Sequence, residues 1–166
     1  MPNSFARLLL LVLLALGACR EQPDPATAFL RQHRSDDFSA FAGTYFFVRG
    51  FNHDTGEAIV FLFHLPTAGC AVYQFDYERK RSRFLKFLSQ GNSHLLLAST
   101  DTALVNRFMR LNVTGLQVDP RGTVTVTVHA YNPHITLLQT REIKTDAQPG
   151  QTYANKGGNW YESRTE

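Results

Sequence analysis

Cysteine is nearly absent: the 166-residue chain has two, Cys19 and Cys70. A single possible pair excludes the disulfide framework that holds many small secreted domains together, so apolar packing has to carry the fold. Charge of one sign is also scarce. Seventeen Lys and Arg stand against 14 Asp and Glu, a formal net charge of +3, too small a surplus for a dedicated nucleic-acid binder. After residue 18 no apolar run approaches the roughly 20 residues that a membrane-crossing helix needs. Catalytic signatures are missing too: the chain has no HExxH, G-x-S-x-G, P-loop or C-x-x-C pattern. The six histidines are scattered. His129 and His134 flank a turn, but two histidines do not make a metal site without further ligands. His53 and Asp54 are explained by the turn they occupy, and Ser93-His94 has no nucleophile setting around it. No catalytic residue, metal ligand or cofactor is assigned.

What the chain does have starts at its amino terminus. Arg7 and the free amine are positive, residues 8–16 are almost all leucine, and Gly17-Ala18 are small. These are the three parts of an export signal. Leu16-Gly17-Ala18-Cys19 resembles the lipobox of bacterial lipoproteins, a likeness that covers residues 1–19 only. It implies a diacylglyceryl group on the Cys19 thiol, cleavage before Cys19 and acylation of the new amino terminus. Each buried CH₂ contributes about 0.8 kcal/mol, so two or three chains on one residue would anchor the protein almost permanently. Arg20 is not the aspartate that retains enteric members in the inner membrane, which favours the outer membrane. The expected organisation is a signal peptide at 1–18, a lipid-anchored tether at 19–25, and one globular β-rich domain at 26–166. Residues 1–18 carry Arg7 and no acid, so the mature chain would hold 148 residues with 16 basic and 14 acidic side chains. Cys70, next to Ala71 and Val72, is then left without a partner and is expected to be a buried small hydrophobe.

Asp24-Pro25 predicts a helix start, with Ala26, Phe29, Leu30 and His33 on one face and Phe38 and Phe41 continuing the apolar signal. From Gly43 the periodicity is that of strands. Segments 44–51, 57–65, 70–77, 84–88 and 95–98 alternate with turn chemistry and predict an antiparallel meander. The basic run at 78–83 is expected to separate two of them. A second helix at 102–110 follows from the spacing of Val105, Phe108 and Met109, with Asn106, Arg107 and Arg110 on its wet face. Strands are then expected at 116–118, 123–128 and 135–143. Residues 145–158 read as a long loop and 159–161 as a last short strand or docked tail. The fold class is mainly β (α+β): a curved antiparallel sheet or partly open barrel of about seven to nine strands, with one packed amphipathic helix and a short N-terminal helix.

Thirteen of the twenty aromatic residues fall between Phe38 and Phe87. Along 57–65 both strand faces are apolar and both need cover. One consequence would be a β-cup lined by Tyr45, Phe47, Phe61 and Tyr73 around an apolar small molecule. Phe41-Ala42-Gly43-Thr44-Tyr45, after a short helix, resembles the glycine-to-aromatic opening of lipocalin-like barrels, with Tyr where that family has Trp. A filled core with no cavity is the plainer reading. The strongest charge feature is Arg79, Lys80, Arg81, Arg83 and Lys86. On a tethered protein it suits an anionic lipid or polysaccharide, and otherwise it is a solvated turn. The expected function is a non-catalytic, lipid-anchored envelope protein that binds another envelope component. The partners would be the membrane through Cys19 and an envelope protein, anionic lipid or polysaccharide, not nucleic acid. The β-cup binder is one alternative and an unrecognised hydrolase the other.

Overall fold

The computed structural model describes residues 23–65, 69–88, 99–129, 134–140 and 153–165. Cys19 with its lipobox, the strand expected at 95–98, and residues 131–133 lie outside them. Helix α1 (Pro25–His33) and a 3-10 turn (Ser39–Phe41) lead into strands β1 (Thr44–Asn52), β2 (Glu57–His64), β3 (Cys70–Asp76) and β4 (Arg81–Phe87). Helix α2 (Ser99–Arg110) precedes β5 (Gly115–Val118), β6 (Val124–His129), β7 (His134–Gln139), β8 (Tyr153–Gly157) and β9 (Trp160–Thr165). All nine strands join one antiparallel sheet in the order β4-β3-β2-β1-β5-β6-β7-β9-β8. The sheet is open: β4 and β8 are its edges. The mainly β architecture, with two α-helices among the described residues, is thus the one that the periodicity implies.

Local chemistry explains most boundaries. The Asp24 carboxylate accepts from the Thr27 backbone N–H at 3.2 Å, capping α1, and Pro25 needs no N–H there. Gly43 has φ +74°, which L side chains rarely adopt. That bend lets its N–H donate to the Val118 carbonyl (2.8 Å) while its own carbonyl accepts from the Leu65 N–H (2.7 Å), so β1 enters between β2 and β5. Asp119 Oδ1 accepts from the Arg121 and Thr123 N–H groups, both at 2.8 Å, and closes the β5–β6 turn.

Both helices lie on the same face of the sheet. Ala26, Phe29 and Leu30 of α1 and Val105, Phe108 and Met109 of α2 join Phe46, Val60, Leu62, Tyr73, Leu116, Val126, Leu137 and Trp160 in one core. We call this the inner face. Phe46 stacks on Phe108 at 4.9 Å between centroids. Trp160 meets Phe29 and Phe38 edge-on at 6.0 and 6.2 Å, joining α1 to β9. The clean alternation of β6 holds: Val124 and Val126 are buried, and Thr125 and Thr127 turn outward.

Three expectations are corrected. The basic run does not merely separate strands: β4 begins at Arg81, so Arg81 and Arg83 are strand residues. Residues 153–157, expected in a loop, form β8. β8 is an edge strand whose Tyr153, Ala154 and Asn155 are exposed, so no face of it is apolar enough to leave a period of two in the sequence. Asn106 is not simply wet either. Its side-chain oxygen accepts from the Ser82 N–H at 2.7 Å, and Ser82 Oγ donates to the Thr102 carbonyl, so α2 braces part of the β4 edge.

Candidate functional site

The outer face of β1–β4 gathers most of the side chains that the sequence singles out. Directly opposed residues share a face, and the registers Tyr45↔Phe63, Phe47↔Phe61 and Phe61↔Val72 place these residues together. Phe61, Cys70 and Val72 are buried there among half-buried Phe47, Ile59 and Phe63. Tyr45 and Phe63 stack at 5.5 Å, and Phe61 and Phe63 at 6.5 Å with rings 20° apart. Arg49 sets its guanidinium 5.7 Å from the Phe61 ring centroid, a cation–π contact.

The cations come from the adjoining edge. Arg81 opposes Asp76, Arg83 opposes Gln74, and Lys86 opposes Val72. Arg83 donates through Nε to the Gln74 side-chain oxygen at 2.7 Å, which fixes it on this face. Lys86 would fall on the inner face by simple alternation from Arg83. The bulge between the Val72 and Tyr73 pairings leaves Leu85 as an extra residue and returns Lys86 to the outer face. A second bulge, between the Val48 and Gly50 pairings, makes Arg49 the extra residue of β1. Arg79 and Lys80 sit in the β3–β4 turn, where Arg79 pairs with Asp76 at 3.1 Å. Hydrogen bonding from the Arg79 backbone is the main reason that the Asp76 carboxyl lies below its ordinary range. Asp76 and Glu57 are the two carboxylate residues opposed on this face in β2–β3.

Tyr73 does not join the other three residues of the expected β-cup. It opposes Val60 on the inner face, is fully buried, and meets Phe84 at 5.7 Å. Burial, with a smaller contribution from the nearby Asp101 charge, pushes its hydroxyl up to about 12. Among the described residues that hydroxyl has no hydrogen-bond partner. A buried orphan donor costs about 1–3 kcal/mol, so Tyr73→Phe should leave stability unchanged or raise it by about 1 kcal/mol. A urea titration showing a loss of more than about 1 kcal/mol would mean that the hydroxyl is satisfied in solution.

The remaining candidates do not converge on chemistry. His64 Nε2 lies 3.4 Å from Asp101 Oδ2 at the start of α2. The His53 ring meets the edge of Phe51 at 4.7 Å rather than Asp54. His129 opposes Ile135 in the ladder, not His134. Cys70 is buried, and burial pushes its thiol up, away from the reactive thiolate. Among the described residues no group of three His, Cys, Asp or Glu is placed to hold a metal ion. Among the described residues, too, no helix is long and apolar enough to cross a membrane.

Arg49 and Phe63 are site residues that the sequence reading did not select. Only the alternation of Phe61 and Phe63 along β2 pointed to the second. The first depends on a bulge that sequence alone does not announce. No family model, curated protein or solved structure matches this chain.

Proposed function

We propose that this is a non-catalytic, lipid-anchored cell-envelope protein that binds an anionic polysaccharide across the outer face of β1–β4. The observation that carries the reading is the joining of Tyr45, Phe47, Phe61 and Phe63 with Arg49, Arg81, Arg83 and Lys86 on the face opposite both helices. Aromatic planes offer apolar contact to sugar rings, and the guanidinium and ammonium groups offer charge-assisted bonds to carboxylate or phosphate substituents. The Thr125 and Thr127 hydroxyls extend the same face across β6. The anchor supports a polysaccharide over the membrane itself. The tether from Cys19 would run about six residues, a reach of roughly 20 Å, and it enters the domain at α1, on the layer away from this face.

The anchor is tested by Cys19→Ala and cell fractionation, with release from the membrane fraction expected. Retention at the wild-type level removes the lipoprotein reading. The face is tested by affinity electrophoresis of the full chain in gels containing polygalacturonate, with dextran as the neutral control. Retardation by polygalacturonate alone is expected, weakening with salt as the screening length shortens. Each cation near a charged surface contributes about 1 kcal/mol, so Arg81→Glu with Lys86→Glu should weaken binding by roughly tenfold or more. Equal retardation by dextran, or an unaffected double variant, overturns the reading. So does preferential sedimentation with anionic lipid vesicles that Arg81→Glu and Lys86→Glu abolish.

A further inference from the structure

A second cationic feature lies on the opposite layer, at the other end of the sheet. A cleft of about 460 Å³ runs between α1 and β8, lined by Thr27, Leu30, Arg31, Arg34, Ser35 and Lys156. That volume lies within the range of small-ligand sites. Thr27, Leu30, Arg31 and Arg34 fall at the three- and four-residue spacing that aligns one helix face, so α1 supplies a continuous wall. Leu30 is buried and gives the wall an apolar base.

The cations at the far end are held in place rather than loose. Arg34 donates through a terminal nitrogen to the Lys156 carbonyl at 2.6 Å, and its guanidinium rests 3.7–3.9 Å from where a Cβ would stand on Gly157. The Trp160 indole N–H donates to the Arg34 carbonyl at 3.3 Å, fixing the backbone beneath it. Lys156 Nζ lies 2.9 Å from Glu162 Oε2, and Glu162 is itself buried. Arg164 joins the same cluster, pairing with Glu162 and, at 2.6 Å, with Asp24.

The charges in this cluster do not balance. Glu162 and Asp24 are answered by Lys156 and Arg164, so among the described residues the guanidiniums of Arg31 and Arg34 are in surplus. The C-terminal end of α1 accounts for some positive charge in its last turn. It does not account for a guanidinium that reaches across to the β8 backbone. Arg34 spends one donor on the Lys156 carbonyl, and a guanidinium has five. The Lys156 ammonium is already given to Glu162 and the Thr27 hydroxyl to Asp24. The two surplus guanidiniums, with the Ser35 hydroxyl beside them, nonetheless match the charge and acceptor oxygens of a phosphoryl dianion, which carries about −1.5 to −2. A lone carboxylate would leave half of that surplus unanswered.

We propose that the α1–β8 cleft is a binding site for a phosphoryl group, whether free phosphate or the headgroup of a lipid. The site is distinct from the outer face of β1–β4 and does not depend on the polysaccharide reading.

The test uses the full chain, ¹⁵N-labelled, in a neutral detergent, titrated with inorganic phosphate, sulfate and acetate. Phosphate and sulfate are expected to shift the amide signals of Ser35, Gly157 and Gly158 in a saturable way, with acetate roughly tenfold weaker. Arg31→Glu is the chosen variant because the Arg31 side chain makes no ion pair among the described residues, so the fold does not rest on it. It should weaken phosphate binding by roughly tenfold or more while the melting temperature stays put. Arg31→Gln should give an intermediate loss, and Arg81→Glu, on the other face, none. A second arm measures sedimentation with phosphatidylcholine vesicles with and without phosphatidate. Retention that requires phosphatidate and Arg31, without a response to free phosphate, assigns the headgroup as the source. Acetate binding as tightly as phosphate, an Arg31→Glu chain that binds like wild type, or no response in either arm overturns the proposal.

Discussion

Trp160→Ala is expected to lower the free energy of unfolding by about 3–5 kcal/mol, the range found when a large aromatic is deleted from a packed core. Trp160 is 1% exposed, so nearly all of its side chain is removed from water in the fold. It is also where three elements meet. The indole contacts Phe29 of α1 and Phe38 before the 3-10 turn, and its N–H reaches the Arg34 carbonyl just past the end of α1. The neighbours are aromatic rings and a short helix end, which cannot close over the space left by an indole, so the cavity term adds to the lost transfer energy. Trp160→Phe keeps a ring and loses the N–H, and should cost roughly 1–2 kcal/mol. The chain has one tryptophan, so unfolding has to be followed by circular dichroism rather than by tryptophan fluorescence. A Trp160→Ala chain within about 1 kcal/mol of wild type would show that α1 is not docked through this residue.

Most of the sheet was legible in the sequence, for identifiable reasons. β1 to β3 and β5 to β7 carry apolar side chains on at least one face, and turn residues such as Asp54, Gly56, Asp119 and Gly122 punctuate them. Asp24-Pro25 marked the start of α1 because capping and the missing proline N–H act locally. The edges were less legible. β4 mixes Arg81, Arg83 and Lys86 with Phe84 and Phe87, and β8 exposes most of its side chains, so neither shows the burial that creates a period. The candidate site was legible in pieces. Tyr45, Phe47 and Phe61 were already associated, but with Tyr73, which sits on the other face because Val60 rather than Phe61 opposes it. That the basic run shares the aromatic face depends on the register Arg83↔Gln74 and on the bulge at Leu85. Both are properties of strand pairing over some ten residues and leave no mark at any single position. The α1–β8 cleft was not legible at all: Arg34 and Lys156 are 122 positions apart and meet only because β9 returns the chain to α1.

The buried carboxylate of Glu162 makes a second large effect, this one dependent on pH. Its position on β9 opposes Leu137, so it points into the inner face. Burial by itself would raise its pKa. The hydrogen bonds from Arg164 and Lys156, and then their charges, outweigh that burial and hold the carboxyl below its ordinary value of 4.5. A carboxyl whose folded pKa is depressed contributes stability that is fully present above its unfolded pKa and is lost as pH falls through the folded one. Asp24 acts in the same direction: the burial that would raise its pKa is outweighed by the bonds from Thr27 and Arg164. The wild-type chain should therefore lose stability on acidification, beginning as the pH falls below about 5. Lys156 and Arg164 are 32 and 44% exposed, so water screens part of the attraction. Glu162→Gln should accordingly cost about 1.5–3 kcal/mol at neutral pH, less than the 3–5 kcal/mol of a fully buried pair. It should also flatten the acid limb, since the group that titrates there is gone. Urea midpoints of the two chains between neutral pH and pH 3 should converge as the wild-type carboxylate takes up its proton. Midpoints that stay parallel across that window would show that the acid sensitivity belongs to other carboxylates and that Glu162 is held by packing rather than by Lys156 and Arg164.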